Sequence, residues 1–205
     1  MTSTAAAGSA SSIDSLEPHR RHVVALAIDL SGFSQFVESI EPEVVSEVIA
    51  DYQAAVGRAA TAAEGHVVNF VGDAAFVAFN DRVDIRDPEL RAARAALALR
   101  HELADQARGW RKRGYRLGFR LGLDSGYATI CRVGFPGHYE YGVLGRTVNN
   151  AFKLNREASD GQIIATRRFV SALDETVDAS SLGPVNIPGL ERPTDAYEIV
   201  GLRAR

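Results

Sequence analysis

Two aspartates interrupt runs of apolar sequence in which a charge is out of place. The run His22–Asp29, HVVALAID, reads as a short buried strand that ends in an acid. The run Val67–Phe79, VVNFVGDAAFVAF, has the β-branched and aromatic composition of two buried strands hinged at Gly72-Asp73. Asn69 stands four residues before that second acid. If the two strands are neighbours, Asp29 and Asp73 converge at one edge of a sheet without an obvious cationic partner. Two such carboxylates repel each other, which raises a pKa. A divalent cation removes the conflict: Mg²⁺ and Mn²⁺ prefer carboxylate oxygens, and Mg²⁺ is often held by one or two carboxylates together with substrate phosphates. Asp29 is followed by LSGFS, whose small residues let backbone N–H groups approach phosphate oxygens closely. Each acid also has an ordinary reading, as a hairpin turn or a strand terminus.

The surrounding pattern supplies the scaffold. From Pro42 to Ala63 the residues Val44, Val45, Val48, Ile49, Tyr52, Ala55, Val56 and Ala59 recur at helical spacing, and Glu64-Gly65 stops the helix. Asp87-Pro88 opens a second long helix to about Arg113. YRLGFRLGLDSG alternates as a strand; YATICRVGF and HYEYGVLG extend the sheet. VNNAFKLNREA is a third helix, GQIIAT a strand, RRFVSALDE a short helix and AYEIV a closing strand. The order β-α-β-β-α-β, with a β-α-β extension, predicts an α+β fold: a ferredoxin-like split βαβ core, largely antiparallel, with helices on one face.

Composition narrows the class. The 205 residues are 46% hydrophobic and 24% charged with net charge −3, which argues against a general nucleic-acid or membrane-surface binder. The single Cys131 forms no internal disulfide, and no apolar run approaches a membrane span. Residues 1–20, rich in Ala, Ser and Thr, read as a flexible leader without the pattern of a secretory signal, and residues 21–205 as the domain. A cytoplasmic location is the default expectation.

Five segments in order resemble the class III nucleotidyl cyclases, the adenylate and guanylate cyclase catalytic domains: AIDLSGFS, FVGDAAFVAF, FRLGLDSG, YGVLGRTVNNAFKL and IPGLERPTDAYEI. The resemblance spans about residues 22–200. It implies a homodimer packed head to tail, with active sites shared between subunits and a nucleoside triphosphate as substrate. Asp29, Leu30 and Asp73 would hold two divalent ions, Mn²⁺ or Mg²⁺, and the backbone of Ser31, Gly32, Phe33 and Ser34 would cradle phosphates. From the partner, Asn149 falls on the ribose-positioning Asn, and Lys153 on an Arg that stabilises charge at the α-phosphate. Lys keeps the charge but loses the bidentate fork. The family's phosphate-binding Lys of the C-terminal strand pair is replaced by Pro188, and Arg192 is the nearby substitute.

The base-selecting positions depart from the family. Adenylate cyclases carry Lys, and guanylate cyclases commonly Glu, where this chain has Asn69. Asp, Thr, Cys or Ser is usual where it has Gly142. One amide that both donates and accepts can satisfy a uracil or cytosine edge, with Tyr52 and Arg146 filling the space a smaller ring leaves. The chain therefore resembles the pyrimidine cyclases of the bacterial Pycsar antiphage system, which make cyclic UMP or cyclic CMP for a separate effector. Two alternatives stay open: an adenylate or guanylate cyclase with an atypical pocket, and a non-catalytic cyclase-like nucleotide-binding dimer.

Overall fold

The structure, a computed structural model, describes Ile13, residues 15–185 and residues 193–203. Its centre is an eight-stranded sheet in the order β2-β3-β1-β4-β6-β8-β7, with β5 paired to β4 off that path. The strands are β1 (His19–Asp29), β2 (His66–Val71), β3 (Ala74–Phe79), β4 (Arg120–Phe135), β5 (His138–Leu144), β6 (Ile163–Thr166), β7 (Val177–Val185) and β8 (Thr194–Leu202). The helices are α1 (Phe33–Ser39), α2 (Pro42–Ala62), α3 (Pro88–Lys112), α4 (Arg146–Glu157) and α5 (Arg167–Leu173). All pairings are antiparallel except β4 with β6. This is the predicted α+β, split βαβ architecture. β1 begins at His19, inside the stretch read as a leader, and Leu16 packs against the core.

Alternation along β1 divides the molecule into two cores. Val24, Leu26 and Ile28 point to one face, where Val48 and Tyr52 of α2, Leu99, Leu103 and Trp110 of α3 and Phe169 of α5 close over them. Val23, Ala25 and Ala27 point to the other, against Val148 and Ala151 of α4. Helices therefore cover both faces, not one as the pattern suggested. The small residues on the α4 side of the sheet let that helix come close. A Cβ on Gly122 of β4 would meet the carbonyl oxygen of Ala151 at 2.1 Å.

Two further elements differ from expectation. LSGFS is not only a turn, because Phe33 starts the short helix α1 and Phe36 is buried in the core. β7, VDASSLGPV, was not expected. As an edge strand it tolerates Pro184, and its pairing with β8 is broken by two register shifts. The α2 stop also works differently, with Glu64 taking the left-handed conformation (φ 59) and Gly65 passing the Phe79 ring where a Cβ would sit 2.6 Å away. Among the described residues no helix is long and apolar enough to cross a membrane.

Candidate active site

The two acids do meet. Asp29 is the last residue of β1, β1 pairs with β3, and Asp73 sits in the two-residue turn that opens β3. That turn needs positive φ at its first position, which Gly72 supplies (φ 61). The Asp73 carboxyl is pushed up to about 6 by burial first, then by a hydrogen bond to Asp29 and by its charge. Its own backbone and Arg120 oppose the rise.

Arg120 corrects the expectation that the acids lack a cation. It opens β4 directly opposite Asp29, and its Nη2 donates to Asp29 Oδ2 at 2.8 Å. In sequence the two are 91 residues apart, so only the strand register reveals the pair.

Tyr52 is also placed differently from expectation. It comes from α2 with no exposed surface, and its hydroxyl is buried without a hydrogen-bond partner. Burial, then the charges of Asp29 and then Asp73, hold its pKa well above the ordinary value. Tyr52 therefore lies on the inner side of the acid pair, across the sheet from Arg146 of α4, and offers a base no surface.

The loop after Asp29 is only partly free for phosphate. The Ser31 N–H already donates to the Gly118 carbonyl and its own carbonyl accepts from Gly118 N–H, both at 3.0 Å. Gly32 turns the chain in the left-handed region (φ 82), where a Cβ would strike the Arg116 carbonyl oxygen at 2.3 Å. The first turn of α1, from Phe33 and Ser34, leaves N–H groups without intrahelical partners. Arg192 and Pro188 lie outside the described residues.

The other half of the predicted site lies on α4. Asn149 and Lys153 are one turn apart on the outward side of α4, while Asn150, Ala151, Leu154 and Asn155 are buried. Neither makes a hydrogen bond or ion pair with Asp29 or Asp73. The helix is held in place by polar groups that sequence reasoning passed over. Asn155 Nδ2 donates to the carbonyls of Arg120 (2.7 Å) and Ala27 (3.4 Å). Asn150 Nδ2 donates to Asp124 Oδ2 at 2.9 Å. Asp124 is fully buried and also accepts from Thr166 Oγ1 (2.6 Å), its neighbour's Ser125 N–H (2.9 Å) and Arg168 Nη2 (2.8 and 2.9 Å). The signal was present in FRLGLDSG, an acid inside an apolar run. Arg146 is exposed at the start of α4, lining a cavity of about 300 Å³ with Asp124, Asn150, Thr166 and Arg168.

The base-side residues depend on strand detail. A bulge between Val67 and Asn69 shifts the β2–β3 register, so that His66 pairs with Ala78 and Asn69 with Phe76. Simple alternation would have put Asn69 beside Val67, facing α2 and α3. The bulge turns it, exposed, to the α4 face that Phe76 and Ala78 share. Gly142 is buried opposite Cys131 on β4, where a Cβ would meet Val133 Cγ1 at 2.8 Å. Cys131 is a half-buried free thiol.

The family model for the adenylate and guanylate cyclase catalytic domain matches residues 17–201. The chain belongs to that family. Its fold is similar to that of the adenylyl cyclase CyaB from P. aeruginosa, with a TM-score of 0.87 at 26% identity over 92% of this chain and 98% of that one. The guanylyl cyclase Cya2 aligns with a TM-score of 0.83 at 23% identity, over 92% and 96% of the two chains. Among curated relatives, adenylate cyclase 1 of Rhizobium meliloti is 29% identical over 187 residues, which is 89% of this chain and 28% of that protein. An uncharacterised protein of Mycobacterium tuberculosis is 30% identical over 89% of this chain and 33% of its own length. The chain thus spans about a third of the length of the curated relatives it matches.

Proposed function

We propose that the chain is a nucleotide cyclase that converts a nucleoside triphosphate, UTP or CTP, to the 3′,5′-cyclic nucleotide and pyrophosphate at a site shared by two copies. The observation that carries the activity is the contact between Asp29 and Asp73 at one sheet edge, with Asp73 raised toward neutrality. This donor set fits hard cations: two carboxylates, which the Leu30 carbonyl would join. Among the described residues no group of three or more His, Cys, Asp or Glu could hold a metal, so substrate phosphates and water would complete the coordination. When bound, a pair of Mg²⁺ or Mn²⁺ ions supplies the positive charge that favours the 3′-alkoxide and the departing pyrophosphate. Asp29 and Asp73 hold that charge in place. The N–H groups at the start of α1 would take the terminal phosphates.

Asn149 orients the ribose, and Lys153 stabilises charge at the α-phosphate. Neither bonds to the acids of its own chain, and on this reading the site takes these two residues from the partner in a homodimer. Exposed Tyr127 and Leu144, beside α4, leave apolar surface for that contact.

Base choice rests on Asn69 and Gly142. Asn69 is turned by the bulge to the open face and presents a donor and an acceptor to a pyrimidine edge. Position 142 has no room for the polar side chain a purine cyclase places there unless Val133 gives way. A role as a second-messenger enzyme in antiphage defence, acting on a separate effector, follows from that pyrimidine reading. The test is to give purified protein with Mn²⁺ each of ATP, GTP, CTP and UTP and identify products by mass. Cyclic UMP or cyclic CMP as the main product is expected. Cyclic AMP or cyclic GMP would remove the pyrimidine reading and the defence role with it.

A further inference from the structure

β5 is held in the sheet from one side only. Among the described residues it pairs with β4 and with no other strand, and it leads through Gly145 into α4. Its second attachment is a side-chain cluster that joins it to the β2–β3 hairpin. Asp81, just past β3, is 4% exposed. Its Oδ2 lies 2.7 Å from Nδ1 of His66, the first residue of β2. The Tyr141 hydroxyl of β5 is buried beside Asp81 without closing a hydrogen bond of good geometry. The Tyr141 ring stands edge-on to the His66 ring at 5.3 Å, and the Arg82 guanidinium lies over the Tyr141 ring at 4.7 Å. Burial alone would raise the Asp81 carboxyl, but His66 and then Tyr141 outweigh it and draw its pKa down, so it stays charged. Burial, then the Asp81 charge, pushes the Tyr141 hydroxyl well above the ordinary tyrosine range.

The loop that carries Asp81 is itself fixed. Asn80 Nδ2 donates to the His22 carbonyl at 2.8 Å and its Oδ1 accepts from the Ile85 N–H at 3.0 Å. Asp81 is therefore a stationary anion held to His66 of β2, and the His66 ring in turn stands against Tyr141 of β5. Three residues beyond His66 is Asn69, and the residue after Tyr141 is Gly142. A few residues on, across Gly145, comes Asn149.

We propose that Asp81 is a positioning residue for nucleotide recognition, clamping β5 to the β2–β3 hairpin through Tyr141 and His66 so that Asn69, Gly142 and Asn149 are held in one arrangement. This rests on the cyclase reading above. An ion pair of merely local value would fix His66 and leave β5 untouched. Here the buried anion, its His66 partner and the Tyr141 ring form one cluster across both strands that carry base-side residues, and it lies well away from the acid pair at the opposite end of β3. Its loss should loosen substrate binding more than it slows chemistry.

The test combines hydrogen exchange with steady-state kinetics on the full chain. Asp81→Asn keeps the shape and removes the charge, and Tyr141→Leu removes the ring that stands against His66. In both variants the amides of residues 138–144 and the first turn of α4 should exchange faster, while β1 keeps its protection. KM for the preferred triphosphate should rise roughly tenfold with kcat within about twofold, the mark of lost positioning and not of lost transition-state contact. Unchanged exchange in residues 138–144, or a fall in kcat at constant KM, would overturn the proposal. If the wild type cyclises none of the four triphosphates, the cyclase reading fails. The exchange arm then still decides the clamp: faster exchange confined to β5 and α4 upholds it, and unchanged or uniformly faster exchange sinks it.

Discussion

Replacing Asp73 with asparagine should make the metal-free chain more stable while abolishing catalysis. In the folded chain the Asp73 carboxyl sits at about 6 against 3.8 for an unperturbed one. The sign follows from linkage: the folded state holds this proton more tightly than the unfolded state. The stability it contributes is fully present below about pH 4 and is lost as pH rises through about 6. At neutral pH the ionised Asp73 therefore weakens the fold beside Asp29. A gap of about two units corresponds to about 3 kcal/mol without screening. Asp73 is half-buried, and screening by the solvent it still meets reduces that to about 1 kcal/mol. For a domain of this size that is a rise of about 2–4 °C in Tm. Thermal unfolding in the presence of a chelator should show Asp73→Asn above wild type at neutral pH, with the gap closing toward about pH 4. Added Mn²⁺ should raise the wild-type Tm and leave the variant where it was. A variant less stable than wild type at neutral pH, or a gap indifferent to pH, would refute the account of two acids held in conflict.

Two further substitutions probe the supports of the site. Tyr52→Phe removes a buried hydroxyl with no partner, so stability should hold or rise by up to about 1 kcal/mol in chemical denaturation. KM for the triphosphate should stay unchanged, and a large rise would return Tyr52 to the base pocket. Asp124→Ala strands the donors of Asn150 and Thr166 inside the protein and should cost about 2–4 kcal/mol by the same measurement. A loss below about 0.5 kcal/mol, ordinary for surface changes, would mean that the network does not hold α4.

The long elements were legible because period and burial agree. α2 and α3 keep an apolar stripe for 21 and 25 residues, so both helices could be placed to within a residue or so. β7 was not legible, because Ser180, Ser181, Gly183 and Pro184 carry no strand signal and only its pairing with β8 makes it a strand. At the site, the convergence of Asp29 and Asp73 followed from strand order alone. Arg120 did not, since its partnership with Asp29 depends on which residues of β1 and β4 stand opposite. Tyr52 was read as a pocket residue that fills the space a smaller ring leaves, yet the face of the sheet it occupies is set by packing. Asn69 shows the same limit in the other direction, as one extra residue in β2 reverses the face to which it points. Asp81 and Tyr141 lie 60 residues apart and could be joined only by the fold.

The central claim is that one catalytic site is assembled from two copies of this chain, acids from one and the α4 pair from the other. Its most direct test is to mix an Asp29→Ala chain with an Asn149→Ala chain, each folded and each inactive alone. Cyclic nucleotide should reappear on mixing, with one intact site in each mixed dimer. If both variants fold and associate yet the mixture stays as silent as its components, the shared site is wrong.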